Sequence, residues 1–383
     1  MKQYPTIESL LRDQNPEEPV YCIYPHIYRE KAKSFLEGFP GRVLYAVKAN
    51  PDPTVMQLLR EAGIQHYDCA SLPEVKLAHS IDPTAKKYFM TPARIRGSAT
   101  IAQEQFNVHH FVVDHLNGLK QLLTEINPSH SVIFARMAVH HESASEDLSV
   151  RFGAPEEEMV KLLHSIRSSG AEPAFAFNVG SLVASPDAYN YALSKTESVL
   201  SELPFEIRLL DVGGGFPTSY PQFIVPKLEN YFNTLRKSID ERKIFSKLEL
   251  LGEPGRALAA PGLSAVVEVI LRKEERLFLN DGMFGIFWLL GIDGPNSFPV
   301  RVFRGPEQLK GPTKSFILNG PTCDSTDTLP GRVELPETIQ AGDHLEFGNI
   351  GAYSLGGRTN YNGFYSDNIV QITSPDARPP LIE

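Results

Sequence analysis

Val43-Leu44-Tyr45-Ala46-Val47-Lys48-Ala49-Asn50 is the stretch on which the fold turns. Apolar and aromatic residues run up to Lys48, and Pro51 and Pro53 follow at once. Prolines that close would break a helix. The run therefore reads as a short buried strand that ends at its lysine. An ammonium on a buried strand is costly unless it snorkels, meets a carboxylate or reacts as an amine. What the other strands bring to the same end decides among the three.

Upstream, residues 20–24 read as a strand closed by Pro25, and 27–37 as a helix. Downstream, helix and strand alternate. Helical periodicity covers 53–62, 72–80, 97–105, 116–126, 155–170, 187–203 and 223–241. Strand patterns cover 64–69, 87–90, 109–114, 131–137, 173–179, 205–212 and 248–252. With the lysine strand that makes eight strands over about 210 residues, the count of a (β/α)8 TIM barrel. An open doubly wound sheet also alternates this way, but the count of eight favours the barrel. Beyond Pro261, short Val/Ile/Leu/Phe runs sit between Gly, Pro and Asp turns, as in an all-β domain. The strand at Val20 has no partner in the barrel count and is expected to join that domain. The chain is thus read as α/β, with a barrel over 27–261 and a β-domain formed by 1–26 plus 262–383.

Composition narrows the function. Of 383 residues, 42% are apolar and 22% charged, ordinary values for a chain with a large core. The formal charge of −9, without a Lys/Arg run, argues against nucleic acid or an anionic membrane as partner. Cys22, Cys69 and Cys323 form no C-x-x-C pair, so a disulfide framework or structural zinc is not expected. Cys22 and Cys69 fall inside strands and read as packing. The eleven histidines, including His140-His141, show no metal spacing. Residues 1–19 lack a signal-peptide apolar segment and no run reaches the length of a membrane span. A cytoplasmic, reducing compartment is expected.

In a TIM barrel the C-terminal strand ends form the active face. Lys48, Asp68, Asn178, Gly213 to Gly215, Glu253 and Arg256 then fall together. Three consecutive glycines offer bare N–H groups to an anion such as phosphate, though alone they also suit a plain flexible turn. Glu253-Pro254-Gly255-Arg256 is either a local ion pair or an acid for a basic nitrogen and a guanidinium for a phosphate. A lysine, a phosphate cradle and an acid at one barrel mouth suit pyridoxal 5′-phosphate (PLP).

Six ordered motifs extend the reading: Tyr45 to Asn50, Asp211 to Pro217 (D-V-G-G-G-F-P), Glu253 to Arg256, Gly320 to Asp324 (G-P-T-C-D), Gly351-Ala352-Tyr353 and Asn362-Gly363-Phe364. Spanning nearly the whole chain, they resemble the ornithine/diaminopimelate decarboxylase family of fold-type III, alanine racemase-like PLP enzymes, and within it the ornithine decarboxylase branch. The resemblance implies that Lys48 forms the Schiff base and Glu253 partners the pyridine nitrogen. It implies a phosphate cradle of Gly213, Gly214, Gly215, Ser181, Arg256 and Tyr353, with Asp68 an acid near the cofactor. Cys323 resembles the cysteine that protonates the decarboxylated carbon, supplied across a homodimer interface. Asp324 and Asp293 resemble the pair that grips a substrate's distal ammonium. The implied reaction is decarboxylation of a basic L-amino acid, since related racemases place an arginine rather than an acid against the ring nitrogen.

Two positions depart from that pattern. The family usually has histidine where Asn178 stands, stacked on the cofactor ring, and ornithine decarboxylases typically have arginine at Asp147. These departures keep open a decarboxylase for a tailored amino-carboxylate in a secondary-metabolite or siderophore pathway. A non-catalytic PLP-binding or regulatory homologue is the alternative from another class.

Overall fold

In the computed structural model, Arg42–Ala46 is a strand with Val43 to Ala46 buried, and it pairs on both sides. Seven further strands run parallel to it: His66–Cys69, Lys86–Phe89, His110–Val113, Val132–Ala138, Glu172–Asn178, Leu209–Asp211 and Glu249–Gly252. The last closes on the first, with Leu251 opposite Arg42 and Gly252 opposite Val43, so the sheet is a closed eight-stranded barrel. Side chains from six strands, among them Leu44, Tyr88, Val112, Phe134, Ala174, Ala176 and Leu251, fill one cluster. The fold is the α/β barrel with a separate β-sheet domain that the alternation indicated. The structure describes residues 1–291 and 297–381. They divide into one unit of Ala32–Pro217 with Val225–Gly255, and another of Met1–Lys31, Thr218–Ile224 and Arg256–Glu383.

Local chemistry sets the helix starts. Asp52 accepts from the N–H groups of Thr54 (2.8 Å) and Val55 (3.2 Å), and Pro53 occupies the first turn of Pro53–Glu61. Ser71 caps Leu72–Ile81 through the Glu74 N–H. Pro53–Glu61 buries an apolar stripe of Val55, Met56, Leu58 and Leu59.

The structure corrects several boundaries. The first barrel strand stops at Ala46, not at Lys48. Ala46 makes the last pair with Asp68, and the Ala46 N–H turns to the Pro254 carbonyl at 3.2 Å. Val47–Ala49 then form a 3₁₀ turn, clasped by the Tyr45 hydroxyl on the Asn50 carbonyl at 3.0 Å. The expected helix from Phe223 begins only at Leu228, because Tyr220 and Phe223 bridge to each other and Pro226 keeps its predecessor extended. The expected strand over 205–212 shrinks to Leu209–Asp211. Phe205 instead packs against His164 and under the Arg167 guanidinium.

In the β unit, Val20–Ile23 pairs antiparallel with Leu263–Lys273 and parallel with Ile369–Ile372, which also takes Lys2–Tyr4. The Val20 strand therefore belongs to the C-terminal sheet, as expected. The helix Ile7–Gln14, not anticipated, is held by a Thr6/Ser9 capping box and buries Ile7, Leu10 and Leu11 against Val20, Val266, Val370 and Ile372. Cys22 and Cys69 are buried in their strands and free, while Cys323 is exposed. No helix among the described residues is long and apolar enough to cross a membrane.

Phe35 is fully buried against the barrel, with Phe232, Phe216 and Phe39 ring centroids at 4.9, 5.1 and 5.8 Å. Phe35→Ala is expected to cost about 3–5 kcal/mol by transfer and cavity terms. A denaturant midpoint unchanged from wild type would remove this cluster from the core.

Candidate active site

The C-terminal rim of the barrel gathers charge that a core would not tolerate. Lys48, on its turn just past the first strand, has a side chain 46% exposed, with Nζ 3.4 Å from Oδ2 of fully buried Asp68. Glu253 follows the last strand, Asp211 ends the strand before it, and Arg136 lies on Val132–Ala138. Asp68 Oδ1 and Asp211 Oδ2 are buried with no hydrogen-bond donor among the described residues.

Burial pushes Asp68 up, and the Lys48 and Arg136 charges oppose it. Burial raises Asp211 to about 6, against the Gly213 N–H and a contact with the Glu253 carboxyl. Glu253 is driven well above the ordinary carboxylate range, first by burial and then by the negative charges of Asp211 and Asp68. Arg136 is lowered by burial while Glu253, Asp114, Asp68 and Asp211 pull it back. A compact nest of acids held by a few cations is how proteins make groups titrate away from their solution values.

The glycine loop packs into the same rim. Gly213 (φ +70°) and Gly215 (φ +95°) adopt the left-handed conformation that favours glycine. A Cβ on Gly213 would meet the Phe177 carbonyl at 2.5 Å, and one on Gly214 the Glu253 carbonyl at 2.8 Å. The Gly213 N–H donates to Asp211 Oδ1 (2.8 Å), and the Gly213 carbonyl accepts from the Glu253 N–H (2.8 Å). Among the described residues neither Gly214 nor Gly215 donates its N–H to a protein acceptor. Two successive uncommitted N–H groups suit an anion.

Asn178 ends its strand beside this loop, its Oδ1 accepting from the Gly180 N–H at 2.9 Å. Ser181 opens a short strand, Ser181–Val183, that pairs with Ala144–Glu146 and whose Val183 N–H reaches the Gly215 carbonyl at 3.2 Å. Sequence reading does not anticipate this two-stranded sheet. Asp147 lies with Oδ2 2.7 Å from His140 Nδ1 and Oδ1 accepting from Ser149.

In the β unit, buried Arg256 lies 5.0 Å from the Tyr353 ring centroid and 3.3 Å from the Tyr220 hydroxyl. Tyr353 has φ 62°, an uncommon conformation for an aromatic residue. Cys323 sits exposed on a turn, with Sγ 3.6 Å from Asn362 Oδ1. Buried Asp327 shapes that turn by accepting from the Thr322 N–H (3.0 Å) and hydroxyl (2.7 Å) and the Met283 N–H (2.7 Å). Asp324 accepts from Thr326 and is held below the usual range by those bonds. Asp293 lies outside the described residues.

The structure thus brings Lys48, Asp68, Asn178, Glu253 and Gly213 to Gly215 to one barrel rim, and Arg256 and Tyr353 to each other. Sequence reading missed Arg136, Asp211 and Asp327. Arg136 was hidden in an apolar strand run and Asp211 in the glycine motif it supports. Asp211 lies two residues before Gly213, the Asx-turn spacing that would have flagged it.

Comparison with known proteins gives the geometry its family. The model of the pyridoxal-dependent decarboxylase pyridoxal-binding domain matches residues 26–260. Antizyme inhibitor 2 of Xenopus laevis is 30% identical over 356 residues, covering 86% of this chain and 75% of that protein. The lysine/ornithine decarboxylase of Selenomonas ruminantium is 30% identical over 84% of this chain and 81% of its own. A crystal structure of lysine decarboxylase from Selenomonas ruminantium superposes with a TM-score of 0.81 at 27% identity, covering 94% of this chain and 93% of that one. The chain belongs to the pyridoxal-dependent decarboxylases, in their fold-type III, ornithine decarboxylase-like group. Its cofactor is pyridoxal 5′-phosphate and its activity that of an amino-acid decarboxylase. The barrel rim fits that cofactor: it offers an accessible primary amine, two uncommitted loop N–H groups and a buried acid.

One neighbour of the rim titrates near neutrality. Glu74 accepts from the Ala70 N–H at 2.6 Å, yet burial raises it from 4.5 to about 6. Its folded value exceeds its unfolded one, so its stabilisation is complete below the unfolded value and lost as pH rises through about 6. Glu74→Gln is expected to flatten the fall in melting temperature between those two values. An unchanged slope would assign the effect to another group.

Proposed function

We propose that this chain decarboxylates a basic L-amino acid of the ornithine or lysine type, releasing the amine and CO₂. The observation that carries the reading is the Lys48 amine, accessible at the barrel's C-terminal rim yet 3.4 Å from a fully buried aspartate. Pyridoxal phosphate, when bound, supplies an aldehyde for an amine and a ring that accepts the electron pair left as CO₂ departs. In this reading Lys48 tethers the cofactor, Glu253 holds the ring nitrogen and Asn178 lies beside the ring. Gly213, Gly214, Gly215, Ser181, Arg256 and Tyr353 hold the phosphate, and Asp68 orients Lys48. Cys323 delivers a proton to the substrate carbon, and Asp324 with Asp293 binds the distal ammonium. Cys323 and Asp324 are supplied across the interface of a homodimer, for which the exposure of Cys323 leaves a path. Holding the scissile bond perpendicular to the ring draws on the binding energy of the distal contact. Three free cysteines suit a reducing, cytoplasmic setting.

A second reading, a decarboxylase for a tailored amino-carboxylate, is favoured by Asn178. Its carbonyl oxygen is committed to the Gly180 N–H, and a carboxamide cannot stack as an imidazole does. Similarity to an antizyme inhibitor keeps a non-catalytic, regulatory reading in view.

Purified protein is expected to be yellow and to release CO₂ from ornithine or lysine, with colour and gas both lost in Lys48→Ala. Gas from neither substrate, with the colour intact, would favour the tailored or the regulatory reading. Cys323→Ala is expected to leave CO₂ release while lowering amine formed per CO₂ by tenfold or more, the scale of a lost general acid. An undiminished amine yield, measured by chromatography, would remove Cys323 from proton delivery.

A further inference from the structure

Asp211 has two jobs that its neighbours separate. Its Oδ1 accepts the Gly213 N–H at 2.8 Å, an Asx turn that any structural aspartate or asparagine could make. Its Oδ2 is buried, with no donor N–H or hydroxyl among the described residues, and the side chains of Asp211 and Glu253 are in hydrogen-bonding contact. Glu253 is fixed there through its own N–H on the Gly213 carbonyl. Two carboxyl groups in contact away from water are not both ionised unless a further cation faces them, so in the free chain they share a proton. The charged groups that face the pair are Asp68, Lys48 and Arg136, with Asp114 beyond Arg136. Asp68 disfavours a second negative charge, while the two cations hold the one that remains.

We propose that Asp211 is a positioning residue that keeps one proton on the Asp211–Glu253 pair in the free chain, ready for the ring nitrogen of the cofactor. The proposal rests on Glu253 being the ring nitrogen's partner, and it assigns Asp211 a role beyond the turn. Proton balance follows. Before loading, the pair carries one proton and one negative charge. On loading, Glu253 gives that proton to the nitrogen lone pair and faces the resulting N–H as a carboxylate. Pair and ring together keep one net negative charge, and no proton is drawn from water at this site. Burial, which raises both acids, favours the same starting state.

Asp211→Asn separates the jobs. The carboxamide oxygen still accepts the Gly213 N–H, while its amide donates to Glu253 and leaves that carboxylate ionised. Infrared difference spectra of the full-length chain before loading, at neutral pH, are expected to show a protonated carboxylic-acid band in wild type. That band should be lost in Asp211→Asn and in Glu253→Gln. Calorimetric titration with pyridoxal phosphate, in buffers of different ionisation enthalpy, should show Asp211→Asn taking up about one proton more than wild type. The contribution from Lys48 is common to both proteins and cancels. A band that persists in both variants, a wild type without one, or equal proton uptake would overturn the proposal. Should Asp211→Asn fail to fold, Glu253→Gln carries the infrared test alone. The infrared result does not depend on loading: a chain that never binds the cofactor refutes the decarboxylase reading and leaves the shared proton standing or falling by its own band.

Discussion

Charge balance inside a low-dielectric rim is the constraint from which the rest of this barrel follows. Asp68, Asp211 and Glu253 crowd one end of the eight strands, where Lys48 and Arg136 offset them. Isolated buried charges cost several kcal/mol each, so the cluster persists only because the closed barrel holds its members in place. The backbone bond from Glu253 to Gly213, and the left-handed turns at Gly213 and Gly215, lock the loop against the acids.

The β unit offers a contrast in how buried carboxylates are satisfied. Buried Glu346 accepts from the Tyr24 hydroxyl at 2.6 Å and pairs with Arg301 at 2.5 Å. Asp327 likewise spends its oxygens on Thr322 and Met283. Such acids staple loops and strands. At the barrel rim, Asp68 Oδ1 and Asp211 Oδ2 lack a donor among the described residues. An unspent buried oxygen is expensive to keep.

The fold was legible because its signal is local. Period-two and helical patterns, broken by Gly63, Pro51 and Pro53, were enough to count eight strands, and the unmatched Val20 strand pointed to the other sheet. Errors arose where tertiary pairing overrules pattern. The lysine strand ends at Ala46, whose N–H leaves the ladder for the Pro254 carbonyl, and Phe205 leaves the sheet to cover a helix. Residues at strand ends, Lys48 and Glu253 above all, could be placed from topology alone. Arg136 could not, since a guanidinium within Val-Ile-Phe-Ala-Arg-Met-Ala looks like a lone exposed charge until its strand closes the barrel. The two-stranded sheet of Ala144–Glu146 and Ser181–Val183 was invisible for a similar reason: short strands of this kind acquire their identity only from each other.

Sheet order in the β unit also bears on how the chain is made. Lys2–Tyr4 lies beside Val370–Ile372, and Gln3 hydrogen-bonds Gln371 across 368 positions of sequence. Closure of the barrel spans 207 positions, from Arg42 to Glu249. Emerging from a ribosome, the barrel can seal while translation continues, whereas the flanking sheet waits for its last strand. Until then Val20–Ile23 keeps an unpaired edge, the kind of surface that chaperones shield. Synthesis of this molecule therefore carries a built-in order, barrel first and sheet last.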